Sequence, residues 1–144
     1  MKKSGLLNPQ LCAAGARLGH TQTFVVADAG LPIPHEVPVI DLAVVLGTPR
    51  FQEVFDAILD EVVVEGATIA HEALGHEPES WVRERIEEVH TVSHEDLKKA
   101  LPNVSFVVRT GRDDAVFQRH RALWSTVLMD VRHLDQIPIW LFGA

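Results

Sequence analysis

Tyrosine is missing from this sequence altogether, and cysteine occurs once, at Cys12. A lone cysteine cannot close an intrachain disulfide, so a disulfide-built secreted scaffold is excluded and a reducing compartment is expected. Cys12 itself reads as a small apolar residue of the interior. Basic residues are also short: 13 Lys and Arg stand against 20 Asp and Glu, for a formal charge of −7. The pairs Lys2–Lys3 and Lys98–Lys99 cannot supply the clustered basic face that a nucleic-acid partner requires. No apolar run approaches the roughly 18 residues of a transmembrane helix. After Met1-Lys2-Lys3-Ser4, the residues Asn8, Pro9, Gln10 and Arg17 interrupt the apolar stretch a secretory signal would need. A cytoplasmic protein without nucleic-acid or membrane partners is the expectation.

What is present suits one folded domain. The chain has 144 residues, 47% of them hydrophobic and 23% charged, which is globular composition at single-domain size. Asn8-Pro9 fits an N-cap and first-turn proline, predicting a short helix from Leu11 to Leu18 that stops at Gly19. Thr23–Ala27 reads as a buried strand. Leu31-Pro32-Ile33-Pro34 must be extended, because each proline disfavours helix in its predecessor. Val37–Leu46 reads as a second strand, and Thr48 as the cap of a helix from Pro49 to about Leu59 with Phe51, Val54, Phe55 and Ile58 on one face.

Further along, Val62–Ile69 suggests a strand and His71–Gly75 a short helical piece. Ser80–Val89 suggests a polar amphipathic helix, and Ser93 opens another that ends near Leu101-Pro102. Val104–Arg109 reads as a strand. Strand and helix alternate, which points to an α/β layered domain with a largely parallel sheet. After Gly111 the pattern fits no further βα unit.

Eight histidines raise the question of chemistry. His71-Glu72 and His76 superficially suggest a zinc helix, but their histidines are five apart, whereas one helical face needs four. No metal site is expected. His35 and His90 read as ordinary surface or boundary residues. His20 differs in its surroundings: Gly19 allows a sharp turn before the Thr23–Ala27 strand, and Asp28 ends that strand. Histidine exchanges protons near neutral pH, a carboxylate can orient it, and strand ends face the ligand crevice of α/β folds. Two readings of this pair remain open: an acid–base pair, or a helix-end histidine with a turn-forming aspartate.

The stretches MKKSGLLNPQL, RLGHTQTFVVADAGLPIP, IDLAVVLGTPRF, EVVVEGATIA and VSHEDLKKALPNVSFVVRTG resemble the D-ribose pyranases, relatives of the L-fucose mutarotases. The resemblance covers about residues 1–111. It implies a three-layer α/β/α domain and a cofactor-free isomerase that interconverts the pyranose and furanose forms of ribose. It also implies ring-like homo-oligomers, commonly decamers, with active sites where subunits meet. By the same resemblance His20 matches the proton donor, and Asp28 and His94 match substrate-binding residues. Mutarotation of another sugar such as L-fucose, or an inactive sugar-binding remnant, are the alternatives.

The resemblance stops at the C-terminus. The family ends in a Pro-Tyr-x-Asn strand, whereas this chain reads Arg112-Asp113-Asp114-Ala115 after Gly111 and contains no tyrosine. Back-translation from Arg112, shifted by one nucleotide, permits E-x-T-P-Y-S-N-V-I, then Gly-Ala-Pro-Phe, and a stop across Leu128–Met129. A domain over 1–111 followed by a frameshifted tail over 112–144 is therefore expected, with impaired activity and apolar tail residues Trp124, Leu128, Trp140, Leu141 and Phe142 in need of burial.

Overall fold

The computed structural model describes residues 1–112 and 126–131. Asn8 opens α1 (Pro9–Arg17): its Oδ1 accepts the Leu11 N–H at 2.9 Å, and Pro9 fills the first turn, where no intrahelical N–H is needed. The chain then turns into β1 (Thr23–Ala27), whose last four residues are buried. The proline-rich stretch after it is irregular, as expected, and leads to β2 (Val39–Asp41).

β2 is much shorter than the Val37–Leu46 run suggested. Its pairing with a neighbour ends at Asp41, and the chain doubles back through a Val45–Thr48 bridge that leaves Val44, Val45 and Leu46 exposed. Thr48 is consequently not the cap of the next helix. α2 (Phe51–Leu59) starts at Phe51 with Arg50 as N-cap, and Glu53 Oε2 accepts the Arg50 N–H at 3.3 Å.

β3 (Val64–Ala70) and a 3₁₀ turn (His71–Ala73) match expectation closely. The Ser80–Val89 helix does not. α3 spans Glu77–Arg83, started by Pro78 in its first turn. Val89 begins a strand instead, β4 (Val89–Val92), because this β-branched stretch pairs in parallel with β3. α4 (His94–Ala100) is capped by Ser93, whose Oγ accepts the Asp96 N–H at 3.1 Å, and a 3₁₀ turn (Leu101–Asn103) follows. β5 (Val107–Arg109) is the core of the VSFVVR run.

A sixth strand, β6 (Thr126–Val131), comes from the tail. The sheet order is β2-β5-β1-β6-β3-β4. β2, β5 and β1 pair in parallel, as do β3 and β4, while β6 runs antiparallel between β1 and β3. The sheet is thus largely parallel, and the tail completes it rather than leaving it disrupted. Val127 and Met129 are 1% and 0% exposed, and Leu128 packs on the opposite face. Trp124, Trp140, Leu141 and Phe142 lie outside the described residues.

Apolar side chains cover both sheet faces. Phe24 and Val26 of β1, Ile69 of β3 and Met129 of β6 meet Leu11 of α1, Phe51, Phe55 and Ile58 of α2 and Val82 of α3. Val25 and Ala27 instead meet Leu31, Val37, Leu101 and Val104 beyond the other face. This alternation along β1 is the period of two that buries a strand from both sides.

Candidate functional site

All five parallel strands end on one edge of the sheet. Ligands of open α/β sheets bind in the crevice outside such carboxyl ends. Asp28 stands at the end of β1, 2% exposed, with Oδ1 accepting the Gly30 N–H at 2.8 Å. Beside it, Thr110 Oγ1 donates to the Ala27 carbonyl at 3.0 Å. Asp41, at the end of β2, pairs with Arg109 of β5 at 2.8 Å, and Arg109 also donates to the Ala29 carbonyl at 3.3 Å. A depression of about 370 Å³, lined by Ala29, Leu31, Ile33, Val39, Asp41 and Arg109, opens there.

His94 reaches the same edge from the other half of the sheet, as the half-buried first residue of α4 directly after β4. Two strands, β6 and β3, lie between β1 and β4, so Asp28 and His94 stand about 14 Å apart along the edge, from strand spacing. Between them Thr126 begins β6 opposite Ala27. Its side chain is 3% exposed, and Oγ1 is buried with no hydrogen-bond partner.

His20 lies elsewhere. It sits exposed in the turn between α1 and β1, where the Gln22 N–H bonds the Gly19 carbonyl at 3.3 Å and Gln22 Oε1 accepts the Gly19 N–H at 2.7 Å. Thr21 adopts φ 63° there. His20 and Asp28 do flank β1, but at opposite ends, separated by about 17 Å of extended chain. Within one chain they cannot hydrogen-bond each other. A depression of about 480 Å³ lies by this opposite edge, lined in part by Arg17, Leu18, Gln22, Ser105 and Phe106.

The same opposite edge carries a cluster of ionisable side chains that the sequence did not reveal. Burial raises the carboxyl pKa of Asp130, Glu65 and Glu88 raise it further, and His90 partly opposes them. His90 Nε2 lies 2.9 Å from Glu88 Oε1, so this surface histidine has a partner two residues away. Among the described residues no group of three or more His, Cys, Asp or Glu side chains could hold a metal ion. His71 and His76 fall on different elements, the 3₁₀ turn and the N-cap of α3. A depression of about 880 Å³, lined by Gly75–Glu77, Glu79, Ser80, Arg83 and Glu84, contains none of His20, Asp28 or His94. His120 and His133 lie outside the described residues. No helix among the described residues is long and apolar enough to cross a membrane.

A mostly parallel sheet whose carboxyl edge gathers a carboxylate, a histidine and a buried hydroxyl defines an α/β small-molecule-binding domain. The comparisons with known proteins narrow this class. Residues 1–115 match the RbsD / FucU transport protein family, and the chain belongs to that family. It is 98% identical over 111 residues to a D-ribose pyranase of Cutibacterium acnes, a match covering 77% of this chain and 87% of that protein. A D-ribose pyranase of Corynebacterium glutamicum is 56% identical over 116 residues, covering 80% of this chain and 90% of the relative.

Among solved structures, Bacillus subtilis RbsD complexed with D-ribose superposes with a TM-score of 0.80 at 31% identity, over 93% of this chain and 99% of that one. The fucose mutarotase of Streptococcus pneumoniae in complex with L-fucose shares the fold, with a TM-score of 0.68 at 17% identity over 88% and 94% of the two chains. The structural match thus covers more of this chain than the 77% matched in sequence. Arg109, Arg112 and Thr126 escaped the sequence reading. Arg109 read only as the end of a strand and Arg112 as the first residue of the tail, and nothing in the tail marked Thr126 as a strand-end residue.

Proposed function

We propose that this protein is a cytoplasmic isomerase that interconverts β-D-ribopyranose and β-D-ribofuranose. The observation that carries this reading is the 98% identity over 111 residues to a D-ribose pyranase, which leaves only about two differences in that span. The reaction needs protons moved and no electrons. An acid protonates the ring oxygen as the bond from it to the anomeric carbon breaks, and a base takes the anomeric hydroxyl proton. The open aldehyde then recloses through the neighbouring hydroxyl, which gives up its proton as the anomeric oxygen regains one. Such proton transfer contributes about 10²–10⁴-fold, and no cofactor or metal is required.

Asp28 and His94 are read as the sugar-binding groups on the carboxyl edge, and His20 as the proton donor. Because His20 stands at the far end of β1, its access to the sugar requires a second copy that brings its α1–β1 turn to the carboxyl edge of the first. The site is thereby shared between subunits of a homo-oligomer, which positions the acid against a bound ring. The exposure of His20 supports this arrangement.

Residues 112–144 are read as a frameshifted tail. The match to the Cutibacterium acnes relative spans 111 residues that make up 87% of it, so that protein is about 128 residues long. That length agrees with the stop codon that the shifted frame permits at Leu128–Met129. A coding sequence that does not read TAT across the Val116–Phe117 junction, which requires GTA at Val116, overturns this origin. Lacking the Tyr and Asn of that strand, the chain is a slower pyranase than its relatives.

Exchange NMR on D-ribose tests the activity. Accelerated exchange between pyranose and furanose signals, abolished in His20→Ala, supports the reading. Binding without acceleration identifies a remnant, and acceleration of L-fucose anomers in place of ribose identifies a mutarotase.

A further inference from the structure

Arg112 follows Gly111 at the end of β5, and the backbone there is tightly held. The Gly111 N–H donates to the Pro49 carbonyl at 2.8 Å, and the Gly111 carbonyl accepts the Gly47 N–H at 2.8 Å. The Thr48 backbone fills the space a side chain at Gly111 would need. Directly after this clasp Arg112 adopts φ 66°, a left-handed conformation that is unfavourable for any residue carrying a Cβ. The turn carries its side chain to the Asp28–Gly30 segment. A Cβ built on Gly30 would lie 3.2 Å from Asp28 Oδ1, 3.6 Å from Arg112 Nη1 and 3.7 Å from Arg112 Cζ. Carboxylate and guanidinium therefore flank one point, the bare face of Gly30.

Asp28 is 2% exposed, so no sugar hydroxyl reaches its carboxylate until something beside it moves. Arg109 is engaged on the β2 side by Asp41 and the Ala29 carbonyl. Arg112 is the cation on the Gly30 side. We propose that Arg112 is an internal competitor for the sugar position at Asp28. Its guanidinium takes the place beside the carboxylate that a ribose hydroxyl needs, and ribose binds only when the side chain swings out. A guanidinium is the stronger partner, because a charge-assisted hydrogen bond to a carboxylate exceeds one from a neutral hydroxyl. The left-handed turn makes release feasible, since a strained backbone persists only while its surroundings hold it. This proposal rests on the reading of Asp28 as a ribose ligand.

The test combines two NMR measurements on the full chain. The first follows exchange of the Arg112 Nη–H groups with water, in the wild type and in Asp28→Asn, without any sugar. The second titrates D-ribose into the wild type, Arg112→Ala and Arg112→Gln, the last keeping length without charge should the alanine variant fail to fold. The expected result is protected Arg112 Nη–H groups that exchange faster in Asp28→Asn, together with a fall of about five- to tenfold in apparent Kd for ribose when the charge is removed. An Arg112 signal indifferent to Asp28→Asn overturns the proposal. So does ribose affinity that is unchanged or weakened in both Arg112 variants while the wild type binds. Absence of ribose binding in the wild type and in both variants instead overturns the ribose reading, and the proposal with it.

Discussion

Met129→Ala measures whether the tail strand carries the core. Met129 is 0% exposed and faces α1, α2 and α3 with Val127, in a sheet position paired on both sides. Truncating a buried methionine to alanine costs about 2–5 kcal/mol, through lost apolar contact and the cavity left behind. At about 3 kcal/mol, and a urea dependence near 2 kcal/mol per molar for a chain of this size, the unfolding midpoint falls by about 1.5 M. Against a typical total of about 5–15 kcal/mol this is a large share. Leu128→Ala is the internal control: Leu128 is half-buried on the opposite face, so its loss costs less. Urea unfolding followed by tryptophan fluorescence, at one fixed protein concentration, reads both variants. A slip of one residue would exchange the faces of β6 and reverse the order of the two effects. A Met129→Ala midpoint within 0.3 M of wild type, or a larger loss for Leu128→Ala, refutes the placement of β6.

Two further perturbations address single polar groups. Thr126→Val keeps the shape of a side chain whose buried hydroxyl has no partner, and is expected to stabilise by about 1 kcal/mol in urea unfolding, the lower end of the cost of an unsatisfied group; destabilisation would show that the hydroxyl is bonded in solution. Asp130→Asn removes a carboxyl whose folded pKa lies above its ordinary value of 3.8. Here the native state binds more protons than the unfolded state between 3.8 and the raised value, so wild-type stability falls with rising pH across that window. The asparagine variant is accordingly the more stable at neutral pH, and its advantage disappears as pH drops below 3.8; an advantage independent of pH contradicts the assignment.

Local signals carried much of the fold into the sequence. Asn8-Pro9 and Ser93 announce α1 and α4 because caps act on the nearest few residues, and β1 announces itself as a continuous β-branched and aromatic run. β2 and β4 were less visible because both are short edge strands, where pairing with one neighbour rather than local preference decides the ends. Val44–Leu46 reads as strand in composition, yet it leaves the sheet. β6 was hidden for another reason: Thr126–Val131 has no preceding crossover helix to announce it among the elements described, and it enters the sheet against the direction of the rest.

The candidate site divides in the same way. Asp28 and His94 are 66 positions apart, and only the strand order brings the ends of β1 and β4 to one edge. His20 and Asp28 look adjacent in sequence, and an extended strand is what keeps them apart. Residue types could therefore be named from the chain, whereas their grouping required the topology. Arg112 illustrates the limit, since a left-handed turn after Gly111 decides where its side chain goes.

The antiparallel insertion of β6 also bears on how the protein is made. Everything through β5 can emerge from the ribosome and begin to fold first, yet the β2-β5-β1 and β3-β4 halves then present β1 and β3 as open edges to one another. The last of the described strands is the one that joins them. Until it arrives, a growing chain offers two strand edges flanked by apolar surface, the features that recruit neighbouring chains into aggregates. Translational arrest or proteolytic loss just after Gly111 would thus yield a sticky pair of half-sheets, and the tail, whatever its origin, keeps the finished chain from that fate.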